Sequence, residues 1–264
     1  MLTIKDLCNK KSIEGDVGIE IEMEGNKPFP IGPDVWVYTT DNSLRGYSAE
    51  YVTKKPILIE EVDDKIKILK DVLEKYGNKI NHSFRAGVHI HSNCLELTPK
   101  QIGTYAATYY CMETALTKFC GSRREGNFFC LRLKDAEFPL DILMQALLNP
   151  NDFYGYFTSD NLRYSALNLR SLTKHGSIEF RAMETTPDLE KISPWAHIIY
   201  NIKKYALSLE HREQIAYDIS FYGPSNWIEK VIGHDNYQLI RYNGIEKDTM
   251  SDLRLVQELI YLKD

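Results

Sequence analysis

The sequence predicts an α+β fold, with a mostly antiparallel sheet that keeps one face open and packs helices on the other. Two observations predict it. Several short segments alternate polar with apolar residues, and longer segments between them space apolar residues as a helix does. The strands are polar on every second residue, which is the habit of antiparallel sheets with one solvated face, although strands separated by helices also occur in parallel sheets.

The first alternating segment sets Val17, Ile19, Ile21 and Met23 against Glu20, Glu22 and Glu24. Strand character also marks Val35 to Tyr38 and Tyr164 to Leu169. Val88 and Ile90 alternate with His89 and His91, and Ile178 and Phe180 with Glu179 and Arg181. A helix is expected over 57–76, where Ile59, Val62, Ile66, Leu69, Leu73 and Tyr76 share a face and Gly77 supplies a stop. A second starts at Thr98-Pro99, an N-cap followed by proline, and runs towards Gly121. A third covers 188–209, with Pro194 marking either a kink or the true start. A fourth covers 251–262. No repeat or Pro/Gly/Ser linker divides the chain, so residues 1–264 are expected to form one domain.

Composition narrows the function. A net charge of -5 with no dense Lys/Arg block gives nucleic acid no electrostatic footprint. No stretch approaches the roughly 20 apolar residues that span a bilayer, and residues 1–15 lack the apolar run of a secretory signal. Five cysteines without CxxC spacing read as reduced thiols, so a cytoplasmic location is expected. There is no P-loop and no G-x-S-x-G elbow.

The alternating segments carry the chemistry. Side chains at i and i+2 of a strand share a face, so Glu20 and Glu22 project together, roughly 6.5–7 Å apart at the Cα atoms. Such carboxylates hold hard cations such as Mg²⁺ or Mn²⁺, or form a solvated acidic face. His89 and His91 repeat the pattern with imidazoles, which can ligate a metal or donate to a phosphate; two surface histidines, or a zinc site with Cys94, are the alternatives. Glu179 and Arg181 add a carboxylate and a guanidinium that can grip a phosphate or carboxylate in a fork, or pair with each other.

Taken in order, these segments resemble the amidoligase family of carboxylate–amine ligases, relatives of glutamine synthetase and glutamate–cysteine ligase. Gly18-Ile19-Glu20-Ile21-Glu22 is similar to its G-x-E-x-E strand. Trp36 followed by Asp41-Asn42-Ser43-Leu44 is similar to its W…D-G-S-L segment, with Asn42 in place of glycine. Glu50-Tyr51-Val52-Thr53 resembles the next acidic strand, and Gly87-Val88-His89-Ile90-His91-Ser92 the G-x-H-x-H-x-S strand. Ser122-Arg123-Arg124 with Asn127 and Cys130, Arg163-Tyr164 with Asn168, and Glu179-Phe180-Arg181 follow in the family's order, over about residues 17–200.

The resemblance implies a glutamine-synthetase-like curved sheet with the active site on its open face. It implies an ATP-dependent ligase that forms an amide through an acyl phosphate, from small-molecule or peptide carboxylates and amines. Glu20, His89 and Glu179 would hold one cation, and Glu22 with Glu50 a second. Arg181, Arg163 and Arg123 would hold phosphates or the substrate carboxylate, with His91 and Asn168 nearby. Glu50 or Asp41 would take the proton of the amine. A guanidino-type phosphotransferase would need no amine, a metal-dependent hydrolase no ATP, and a non-catalytic scaffold neither.

Overall fold

The computed structural model describes residues 2–263. Its sheet has six strands: β1 (Val17–Gly25), β2 (Trp36–Thr39), β3 (Tyr47–Thr53), β4 (Gly87–Asn93), β5 (Leu167–Asn168) and β6 (Ser177–Glu184). Their order is β2-β3-β1-β4-β6-β5, and every neighbouring pair is antiparallel. With the helices around this open sheet the fold is α+β, as the alternating segments predict.

The two-residue period sorts the side chains. Ile19, Ile21, Val88, Ile90 and Phe180 are buried on the helix side. The Tyr105 and Tyr109 rings of the Pro99–Tyr110 helix rest on Phe180, with centroids 5.6 and 5.0 Å away. Thr98 and Gln101 close a capping box that starts this helix. The Ile192–Ser208 helix packs on β4 and the Glu113–Cys120 helix on β6. Burying this apolar face leaves the opposite, polar face open.

Five elements differ from the sequence expectation. The helix expected over 57–76 begins at Val62, after a 3-10 turn over Ile59–Glu61, and ends at Lys75. The helix expected to reach Gly121 breaks at Cys111 and Met112, giving Pro99–Tyr110 and Glu113–Cys120. At the break, the backbone N–H and hydroxyl of Thr114 bond to Asp252, at 2.8 and 2.7 Å. That anchor sits on a distant helix and carries no local signal. The third helix starts at Ile192, after a 3-10 turn over Leu189–Lys191. Pro194 falls in its first turn, where a missing N–H costs no intrahelical bond. The last helix begins earlier, at Ile245, stops at Leu255 and resumes over Gln257–Ile260. The strand expected over 164–169 shrinks to β5, because Arg163 and Tyr164 lie in a 3-10 turn over Asp160–Tyr164.

Beyond residue 210 the described chain is helical, and the buried apolar cluster runs without a break in contact from Ile4 to Ile260. Among the described residues no helix is long and apolar enough to cross a membrane. The five cysteines are free thiols.

A β-bulge interrupts the pairing of β4 with β6. Val88 pairs with Met183 and Ile90 with Phe180, so both Arg181 and Ala182 stand opposite the one residue His89. A bulge of this kind re-aims the side chains around it. Here it lies where Arg181 joins the open face.

Candidate active site

The register lays the polar residues side by side. Glu22 pairs with Glu50 on β3, Glu20 with His89 on β4, and His91 with Glu179 on β6, which in turn pairs with Asn168 on β5. Directly paired residues in an antiparallel ladder share a face. The alternation along these strands therefore produces one continuous floor of carboxylates and imidazoles. Above it lies a cleft of about 450 Å³.

His89 is the centre of this floor and is 1% exposed. Its Nδ1 lies 2.7 Å from Glu20 Oε1 and 3.5 Å from Glu179 Oε1, and its Nε2 lies 3.9 Å from Glu22 Oε2. His91 Nε2 approaches the other Glu20 oxygen at 3.7 Å, while its Nδ1 faces the Ser171 and Ser177 hydroxyls, each at 3.2 Å. Arg181 pairs with Glu179 Oε1, and the Asn168 amide donates to Glu179 Oε2 at 2.6 Å. The backbone N–H of Gly87 donates to Glu22 Oε2 at 2.8 Å.

These neighbours push the carboxylates apart in acidity. Burial works to raise Glu20, but the two imidazoles outweigh it and hold the carboxyl well below the usual range. Glu179 is likewise held low against burial, by Arg181 and the histidines. Burial raises Glu22 in spite of His89. Glu50 is pushed up to about 8 by burial and by the charges of Glu20, Glu22 and Asp41. His91 is raised against burial by Glu179 and Glu20, whereas His175 is lowered to about 4 by burial and by His91.

The donor set fits a hard divalent cation. Single donor atoms of Glu20, Glu22 and His89 lie within 4.8 Å of one another, an oxygen-rich set with an imidazole that suits hard divalent cations. Glu50 extends the set beside Glu22. Glu179 stands next to it, with its oxygens on Arg181 and Asn168. Cys94 takes no part, because it is fully buried with its thiol on the Ser92 carbonyl at 3.2 Å.

Glu20, Glu22, Asp41, Glu50, His89, His91, Arg163, Asn168, Glu179 and Arg181 all line this cleft. Arg123 does not. It turns away to Glu184, 3.4 Å from Oε2, and to His82. Its neighbour Arg124 lines the cleft instead. Within a 3-10 turn, consecutive side chains point about 120° apart, so a sequence match to this turn cannot choose between them. Arg85, Arg170 and Lys174 also line the cleft, but they come from loops and a short helix without periodicity.

The register separates two ends of the cleft. At one end, a hollow of about 250 Å³ opens above Gly18, between Val52, Lys54, Pro56, Leu95 and His175, and shares Glu20 and His91 with the main cleft. At the other end, beyond Glu22 and Glu50, stand Asp41, Arg85, Arg124, Phe129, Arg163 and Tyr164. The Arg163 guanidinium lies 4.9 Å over the Tyr164 ring, and Arg85 6.0 Å over Phe129.

Among curated proteins no match was found. A protein-family model described as "Putative amidoligase enzyme" matches residues 29–202, about two thirds of the chain. The match takes in Glu50, His89, His91, Asn168, Glu179 and Arg181, and starts after Glu20 and Glu22, which β1 adds to the floor through its pairing with β3 and β4. The chain belongs to the amidoligase family.

Proposed function

We propose that this protein is an ATP-dependent carboxylate–amine ligase that works through an acyl phosphate on a glutamine-synthetase-like sheet. The observation that carries the reading is the clustering of Glu20, Glu22 and His89 on a floor that continues to Glu179 and Arg181. Glu20, His89 and Glu179 would hold one Mg²⁺ or Mn²⁺, and Glu22 with Glu50 a second. Bound there, such cations neutralise phosphate oxygens and favour charge moving onto ADP. The five free thiols suit a reducing cytoplasm.

The two ends of the cleft suit different substrates. The hollow above Gly18 has mainly apolar walls with Lys54 and Lys55 at its side, which suits a nucleotide base whose phosphates reach Glu20 and His91. The acid and amine then occupy the end near Glu22, Glu50 and Asp41. A carboxylate oxygen of the acid attacks the γ-phosphorus, and ADP leaves. Arg181 donates to the transferring phosphoryl oxygens, as does His91. The amine nitrogen then attacks the acyl carbon, Glu50 takes its proton, and phosphate departs with the former carboxylate oxygen. The crowding that pushes Glu50 up to about 8 belongs to the cation-free floor; with a cation bound beside it, Glu50 would be ionised and able to accept the proton of the amine.

Calorimetric titration tests the site. ATP is expected to bind at least about 10-fold more weakly without Mg²⁺, because bare phosphates meet the carboxylate floor. The pH dependence has a definite sign. Glu50 holds its proton below about 8, and a cation must displace it, so Mg²⁺ affinity should rise with pH up to that value, with proton release. Equal ATP affinity with and without Mg²⁺ counts against this site.

A further inference from the structure

Arg124 is a cleft-lining cation that is both sealed away and under-bonded. It is 1% exposed, and neither Nε nor NH1 has a hydrogen-bond partner among the described residues. Its NH2 donates to the Arg181 carbonyl at 2.6 Å, inside the β6 bulge. Buried polar groups are nearly always satisfied, so a guanidinium left with spare donors calls for an explanation. The floor makes room for it at Gly87. A Cβ there would stand 3.0 Å from Arg124 NH2 and 3.1 Å from His89 Nε2, tighter than ordinary contact, so a side chain at this position would press on both groups.

We infer that Arg124 is a positioning residue of the active site. It clamps the bulge carbonyl and so fixes Arg181 between Glu179 and His89. Its charge lines the same cleft as the floor carboxylates and offsets their summed charge there. That the anions taken there are a phosphoryl oxygen and a carboxylate rests on the ligase reading. The clamp and the charge do not.

Two consequences have opposite signs, which separates this role from a purely structural one. Loss of a positive charge from a cleft floored with carboxylates strengthens cation binding in it. Loss of the clamp loosens Arg181 and weakens anion binding, since small misplacements of a positioned group are costly. The test is calorimetry of Arg124→Ala with Mg²⁺ alone, then with Mg²⁺ and the non-hydrolysable analogue AMP-PNP, each repeated in millimolar guanidinium chloride. Mg²⁺ should bind roughly 3–10-fold more tightly than in the parent protein, and AMP-PNP at least about 10-fold more weakly. Guanidinium, which fills the space the side chain leaves, should return both towards the parent values.

Arg124→Lys covers the case in which the alanine variant does not fold. It keeps the charge without the planar fork, so its Mg²⁺ affinity should match the parent while AMP-PNP binding is still weakened. Unchanged affinities in folded Arg124→Ala, changes that guanidinium does not reverse, or parent-like AMP-PNP binding by Arg124→Lys would each overturn the inference. The Mg²⁺ titrations need neither nucleotide nor turnover, so they report on Arg124 even if ADP release shows the ligase reading to be wrong.

Discussion

Glu22→Gln is expected to fold and to lose activity by at least about 100-fold, and His89→Ala to do the same at a lower melting temperature. The expected loss follows from what each group does on the floor. Glu22 is placed by β1, accepts the Gly87 N–H at 2.8 Å and faces Glu50 across the strand pair. A glutamine oxygen can still accept that N–H, so the fold should hold within a few degrees of the parent, since isosteric changes that keep their hydrogen bond cost little. What disappears is the negative charge that would hold a cation, and removing such a ligand removes its stabilisation of the transferring phosphoryl group. His89 stands between Glu20 and Glu179 and is nearly sealed from solvent. Its loss leaves a buried space and removes hydrogen bonding from Glu20, at a cost of about 1–3 kcal/mol. Thermal melts and ADP release measured on the same preparations check both variants. A fully active Glu22→Gln protein contradicts the two-cation assignment.

Arg181→Lys should keep the charge and still lose about 100-fold or more in kcat. Arg181 spreads its donors over the floor. NH1 pairs with Glu179 and lies 3.5 Å from His89 Nδ1, while Nε points to the Phe129 carbonyl at 3.5 Å. The planar fork can keep one partner and still present a donor to a phosphoryl oxygen, whereas an ammonium is a point charge on a flexible stem. If Arg181 meets charge that grows in the transition state, kcat falls. If it only anchors ATP, KM rises and kcat holds. A pair that merely ties β6 together would leave kinetics close to the parent, because lysine keeps the positive charge opposite Glu179. Near-parent kinetics therefore contradict the assigned role.

Much of the floor was legible because its signal is strictly local. Glu20 with Glu22, His89 with His91 and Glu179 with Arg181 each share a face by the two-residue period alone, and their apolar neighbours state which face is buried. The resemblance supplied the order in which those strands belong together, and the register shows them adjacent. What the sequence did not carry is non-local. The break at Cys111 and Met112 coincides with hydrogen bonds from Thr114 to Asp252 on a helix far along the chain. The short β5 depends on where β6 offers partners. The bulge at Arg181 and Ala182 arises from pairing with β4 and leaves no residue pattern. The choice between Arg123 and Arg124 turns on which of two adjacent arginines meets Glu184 at the surface and which slides over Gly87.

In the proposed reaction a carboxylate is activated by phosphoryl transfer before an amine attacks it. The most direct measurement follows the fate of the carboxylate oxygens. Candidate acids are screened with amines, Mg²⁺ and ATP for ADP release. Any acid that supports it is then supplied with a heavy-oxygen label in its carboxylate. ADP release is expected to depend on the acid, and the amide to form with one labelled oxygen delivered to the inorganic phosphate. ADP release that ignores acid and amine, or amide formed while the phosphate stays unlabelled, would contradict the acyl-phosphate route.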